Sequence, residues 1–352
     1  MAINPAEQVN PWHPVVAKLL LLLEDDIELN SKLENALKLS GRFEEPLLDS
    51  YCYLIHRMQT TIPNPQTWLP MNLEFYYVIA CADNNYLSEH IGFMDWVRYY
   101  VDSMGLWMDS PESIDHLQMF YEDKSFRIDD YVVPASGWKT YNQFFARQIK
   151  SGARPIDEPS NNKIIVSAAD SSFCGCHQIS PESSVKAKGL NWYISDLLED
   201  SPHANEFTNG WYCHSFLAPT NYHRFHTPVA GKLIELRNIT GKVTMDVHLD
   251  PKGNLSVLRG AIGYQFKQER GLAVIESAIG LVAIIPIGMG IVSSVSFSAL
   301  NNSILSKGSE LGFFSFGGSD VVLLFQKGAA IDWLVKEGDT IQQGQSIAFS
   351  NC

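Results

Sequence analysis

Residues 307–325 read KGSELGFFSFGGSDVVLLF, and this stretch decides the fold. Gly317 and Gly318 separate an apolar run ending at Phe316 from a β-branched run over 321–325. The ordinary reading is a glycine turn between two strands, which sets the second half of the chain among β structures. A sharper reading concerns Ser319. Two glycines permit backbone geometry closed to other residues, so the adjacent serine can bend its hydroxyl onto its own peptide bond. Attack of Ser319 Oγ on the Gly318 carbonyl would turn the amide into an ester. Elimination across Cα and Cβ of Ser319 would then free the Gly318 carboxylate, and water would convert the dehydroalanine into a pyruvoyl ketone. Such a ketone forms a Schiff base with an amine and draws electrons from it, as pyridoxal phosphate does. GGSDV is not a hydrolase nucleophile elbow, because the last glycine of G-x-S-x-G is absent.

Outward from this stretch the β grammar continues. Short β-branched segments at 163–168, 231–236, 242–249, 272–277, 281–287 and 291–297 alternate with glycine turns, the pattern of an antiparallel or mixed sheet. The tail VKEGDTIQQGQSIA resembles the hairpins of lipoyl and biotinyl carrier barrels, which supports barrel-like packing. It supplies no carrier function, since no lysine follows it before Cys352. No charged residue occurs between Glu276 and Lys307, a length sufficient for a membrane span. Pro286, Gly280, Gly288 and Gly290, with valine and isoleucine dominating the apolar part, favour buried strands instead.

Before residue 130 the period is helical. Val16, Leu19, Leu20, Leu23 and Ile27 share a helix face, and Ser31 with Glu34 marks a capping-box start for a second helix. Leu87, Ile91, Met94, Val97, Val101 and Met104 step by three or four, with Gly105 as the expected stop. Trp138 to Gln148 (WKTYNQFFARQ) predicts a short helix with an aromatic anchor, and Gly152-Ala153-Arg154-Pro155 marks a boundary. The expected class is therefore α+β. A helical region over 1–130 precedes a β-rich, antiparallel or mixed, barrel-like domain over 131–352.

Composition narrows the function. With 352 residues and 45% hydrophobic content the chain buries real cores. A net charge of −13 argues against nucleic acid and against electrostatic docking on anionic lipid. Six scattered cysteines and a start without a basic n-region predict free thiols and a cytoplasmic setting, with peripheral membrane contact left open. His13, His56, His90 and His116 lack ligand spacing and read as structural.

The partners of Ser319 are sought among His223 and His226 in NYHRFHTP and Asp170 in VSAADSS. The histidines admit a structural role. They also admit a metal site completed by CGCH at 174–177 and Cys213-His214, although no CxxC or HExxH pattern is present and no metal is expected. A lone aspartate at a strand end is ordinarily a turn cap.

Taken together, TYNQFFARQIKSGARPID, IIVSAADSS, KAKGLNWYISDLL, NYHRFHTPVAGKL, YQFKQERGLAVIES, IPIGMGIVSSV and the 307–325 stretch resemble the phosphatidylserine decarboxylase family over most of 140–350, in family order. The resemblance implies a zymogen that cleaves itself between Gly318 and Ser319. The products would be a β chain, 1–318, and an associated α chain, 319–352, headed by a covalent pyruvoyl cofactor made from Ser319. It places Asp170, His226 and Ser319 in the self-processing triad, with His226 as base and Asp170 orienting it. His223 would lie near the substrate and return a proton to its α-carbon. A homodimer is the family habit.

Three positions depart from the family pattern. Asp320 stands for threonine, Ser171 for glycine and Gln268 for asparagine. A carboxylate at 320 would slow elimination or disturb the pKa of His226. NLEFYYVIACADNNYLSEH and WVRYYVDSMGLWMDSPES resemble the helical extension of a soluble branch that includes fungal L-tryptophan decarboxylases. That makes a free amino acid, aromatic ones included, the expected substrate, with phosphatidylserine, decarboxylated to phosphatidylethanolamine, as the alternative. A non-processing binding or regulatory homologue and a serine hydrolase are the readings from other classes.

Overall fold

The computed structural model describes residues 12–64, 66–114, 117–187, 189–257, 262–290, 294–315 and 319–352. They fall into two compact units, one from Met1–His116 with Val243–Leu258, the other from Leu117–Lys242 with Arg259–Cys352.

The first unit is helical: Pro14–Asp25, Ile27–Ser40, Leu47–Met58, Trp68–Ala80 and Ile91–Met108. Its centre is aromatic, with Phe75 stacked on Tyr51 and on Tyr100 at 5.8 and 4.9 Å between centroids. Each such fully buried side chain contributes about 1.5–3 kcal/mol of transfer free energy. The second helix begins earlier than the Ser31–Glu34 box predicts. Asp26 caps it by accepting from the Leu29 N–H at 2.9 Å, which satisfies one of the free donors of the first turn. Gly105 does not stop its helix, which runs on to Met108. With the cap at Asp109, Gly105 is an interior residue whose missing side chain is met by open space. His13 and His90 accept from the first turns of their helices, and His116 lies outside the described residues. The hairpin Val247–Leu249 with Leu255–Val257 belongs to this unit, and the Tyr76 hydroxyl donates to the Val243 carbonyl at 3.0 Å.

The second unit is β-rich. Its main sheet has eight antiparallel strands in the order Ile304–Leu305, Gly231–Ile239, Arg270–Ser277, Gly280–Gly288, Ser319–Phe325, Trp211–Leu217, Ser171–Gln178 and Thr340–Ile341. The sheet is open. Its two edge strands do not pair with each other, so among the described residues there is no closed barrel. One face carries a core in which Val322 and Leu324 meet Ala283, Ile285, Tyr212 and Phe266. The charge-free stretch supplies Gly280–Gly288 and shorter strands after it. No helix among the described residues is long and apolar enough to cross a membrane. Residues 117–130, grouped by sequence with the helical region, pack into this unit, where the Phe120 ring meets Phe126 and Phe144 at 5.0 Å.

A second, three-stranded sheet is formed by Val295–Phe297, Glu310–Phe314 and Arg224–His226. Gly312 is obligatory in it, since a Cβ there would lie 2.2 Å from the Ser296 carbonyl oxygen.

Candidate active site

Strand pairing brings the chosen segments together. Glu310 pairs with His226, and the Phe314 N–H donates to the His223 carbonyl at 2.9 Å, so the chain leaves the histidine strand immediately before residues 316–318. It is described again at Ser319, whose backbone sits between Gly288 and Leu217 in the main sheet. Gly318 lies outside the described residues. The Asp170 segment is laid alongside the same histidines: the His226 N–H donates to Ala168 at 2.8 Å and the Val166 N–H to Pro228 at 3.1 Å.

His226 is buried with both ring nitrogens occupied. Nδ1 lies 2.9 Å from the Gly308 carbonyl and Nε2 lies 3.1 Å from the Tyr222 hydroxyl. A carbonyl only accepts, so Nδ1 carries the proton and Nε2 accepts from Tyr222. Burial lowers the pKa of His226, against the Gly308 hydrogen bond and the charges of Glu310 and Asp170. It is therefore neutral, as a base must be. Gly308 holds its carbonyl here at φ +78°, where a Cβ would lie 2.4 Å from Ile156 Cδ1.

Asp170 does not orient this ring by a hydrogen bond. Its carboxylate is taken by Arg154, at 2.8 and 3.0 Å from Nε and 2.5 Å from Nη2, and by the Gln343 N–H at 2.8 Å. It reaches His226 as a field rather than a contact. Arg154 also bonds Asp130 at 3.0 Å. Burial pulls the Arg154 pKa down, but the two carboxylates outweigh it and the pKa rises. Asp170→Asn would leave a guanidinium that is 1% exposed short of its main partner. A loss of about 3 kcal/mol is expected on urea unfolding, together with slower chain cleavage; unchanged stability would contradict this role.

His223 is fully buried. Its Nδ1 lies 2.9 Å from the Asn221 carbonyl, and its Nε2 has no hydrogen-bond partner among the described residues. The Phe145 ring lies 3.9 Å from it, centroid to centroid. Burial, helped by the Arg147 cation, pushes its pKa down to about 3.

Asp320 is on the other side of the problem from the one expected. Its fully buried carboxylate is 2.9 Å from His214 Nε2, though not in hydrogen-bonding alignment. It is not among the charges acting on His226. Strand alternation is the reason: Asp320 shares a face with Val322, which pairs with His214. Cys176 and Cys213 face each other across neighbouring strands. Among the described residues no three His, Cys, Asp or Glu side chains form a metal-ligand group.

Sequence reading passed over Arg147, Arg154, Tyr222 and Gly308. Arg154 stood inside the Gly-Pro boundary signal and Tyr222 inside the histidine segment, but an arginine or tyrosine carries no sequence mark of burial.

The phosphatidylserine decarboxylase family model matches residues 141–349, more than half of the chain. The chain belongs to this family. It is similar to phosphatidylserine decarboxylase proenzyme 3 of Schizosaccharomyces pombe, with 32% identity over 68% of this chain and 25% of that one. Proenzyme 2 of Oryza sativa subsp. japonica shares 32% over 68% of this chain and 38% of its own length. The phosphatidylserine decarboxylase proenzyme of Fusobacterium nucleatum shares 30% over 66% of this chain and 75% of its own. Matches to the first two thus span a quarter and under two fifths of those proteins. Among solved structures, glucose permease IIA from Mycoplasma capricolum aligns at a TM-score of 0.26 and 14% identity, over 53% of this chain and 93% of that one, too distant to carry an argument.

Proposed function

We propose that this member of the phosphatidylserine decarboxylase family is a carboxy-lyase that cleaves itself between Gly318 and Ser319 and decarboxylates phosphatidylserine. The observation that carries the reading is His223: a buried imidazole whose Nε2 has no hydrogen-bond partner among the described residues, and whose carbonyl accepts from the Phe314 N–H shortly before Ser319 in the chain. A buried polar nitrogen left without a partner costs about 1–3 kcal/mol, and a proton or a reacting group would satisfy it. The names of the relatives favour phosphatidylserine over the free amino acid expected from the sequence.

In this reading His226 Nε2 takes the Ser319 hydroxyl proton, Tyr222 yielding its place on that nitrogen, while Gly308 keeps the opposite nitrogen protonated. Asp170, held by Arg154, stabilises the imidazolium through its field. A pyruvoyl group at 319 supplies the electron sink for carbon dioxide loss. Decarboxylation of an amino acid consumes one proton, and His223, neutral with Nε2 open to accept it, passes that proton to the α-carbon. The helical unit, the β chain–α chain association and a homodimer belong to the same proposal.

Purified protein is to be given phosphatidylserine in detergent micelles and, separately, free amino acids including tryptophan, with carbon dioxide and amine measured. Release from the phospholipid is expected. Release from free amino acids alone would return the substrate to that class, and release from neither would remove the decarboxylase reading.

A further inference from the structure

Arg147 is 1% exposed, and among the described residues no carboxylate lies within ion-pairing distance of it. Its charge is met by main-chain carbonyls. Nη1 donates to Phe144 and Phe145 at 3.5 and 3.4 Å, and Nη2 donates to Thr220 and Asn221 at 3.1 and 3.2 Å. The guanidinium carbon stands 4.2 Å from the centre of the Tyr131 ring. A buried cation without a counter-ion is costly and asks for a reason.

The reason lies in what those carbonyls do. The Asn221 carbonyl that accepts from Arg147 also accepts from His223 Nδ1 at 2.9 Å. Phe145, whose carbonyl Arg147 holds, lays its ring on His223. Both objects that fix the imidazole are therefore tied to one planar five-donor fork, which a lysine cannot reproduce.

We propose that Arg147 is a positioning residue for decarboxylation: by clamping the Phe145 and Asn221 carbonyls it fixes the ring and the tautomer of His223, so that Nε2 stays bare for the proton the reaction consumes. The role rests on the decarboxylase reading above; the clamp on the tautomer does not. The charge works in the same direction, since a cation beside an imidazole disfavours its protonated form. Of the other titratable groups around this segment, Tyr131 and Tyr222 are kept protonated by burial, Glu310 pairs with Arg224 and Asp170 with Arg154. Arg147 is the cation acting on His223.

The test combines nitrogen-15 NMR of the histidine rings with kinetics on the processed enzyme, for Arg147→Met, Arg147→Lys and Phe145→Leu. In the unsubstituted protein His223 is expected as a single neutral tautomer protonated at Nδ1, without titration between pH 5 and 8. In Arg147→Met the two tautomers average and kcat falls by about 10²-fold with KM little changed. Chain cleavage still occurs, because His226 is held by Tyr222 and Gly308. Arg147→Lys retains the charge but not the fork, so its tautomers average as well. Should Arg147→Met fail to fold, Phe145→Leu removes only the ring and is expected to lower kcat by about tenfold. A fixed tautomer and unchanged kcat in every folded variant would overturn the proposal. If the unsubstituted protein decarboxylates nothing while the tautomers behave as stated, the clamp stands and the enzymatic reading falls.

Discussion

Ser319→Ala leaves the protein as one uncut 39.5 kDa chain, without a ketone and without decarboxylation. The unsubstituted protein should instead give two fragments meeting between Gly318 and Ser319, the smaller lacking a free amino terminus. The substitution isolates the chemistry from the fold. Position 319 holds its place through backbone pairing to Gly288 and Leu217, and alanine keeps that backbone donor and acceptor. What disappears is the hydroxyl expected to attack the preceding carbonyl, and Phe316, Gly317 and Gly318 carry no side-chain nucleophile to replace it. Intact-mass analysis with a hydrazine trap reads both consequences. Fragments in the alanine variant, or a serine-headed, ketone-free α chain in the parent, would end the self-processing account.

His226→Ala should slow cleavage by about 10²–10⁴-fold rather than abolish it, because the Ser319 hydroxyl and the carbonyl before it are both retained. It also strands the Tyr222 hydroxyl and the Gly308 carbonyl, at about 1–3 kcal/mol, so the rate is to be compared on folded protein. The pH profile of the unsubstituted enzyme carries a second check. The base form of His226 is the deprotonated one, and burial lowers its pKa from about 6.5. The acid limb of cleavage is therefore expected below pH 6.5; a limb at or above that value would assign the base elsewhere. The same shift acts on stability with a definite sign. Below about pH 6.5 the unfolded histidine binds a proton that the folded one still refuses, so stability linked to His226 declines as pH falls through that value.

Both results turn on residues that differ in how legible they were. The glycine pair, Ser319, the two histidines and Asp170 stand out in sequence because small, polar and titratable residues interrupt apolar runs. The helices Pro14–Asp25, Ile27–Ser40 and Ile91–Met108 and the strands Gly231–Ile239, Arg270–Ser277, Gly280–Gly288 and Ser319–Phe325 were legible from their periods. The helices Leu47–Met58 and Trp68–Ala80 and several strands were not, among them Ser171–Gln178 and Trp211–Leu217, whose small, cysteine and histidine residues mask the alternation. The start of the second helix was misplaced because Ser31 with Glu34 was read as its cap, whereas Asp26 takes that place and the added turn buries Leu29.

The sequence by itself determined which chemistry is available: a serine beside two glycines, bases in a short motif, and alternating runs that oblige the second half to be sheet. Periodicity and residue chemistry are local, and both survive in one dimension. Only the tertiary structure decided who touches whom. It gave Asp170 to Arg154, closed His226 between Gly308 and Tyr222, turned Asp320 toward His214, and put Arg147 behind His223. Those assignments depend on strand register and burial. A one-residue slip sends a side chain to the opposite face, and loss of solvent makes a long-range partner cheaper than water.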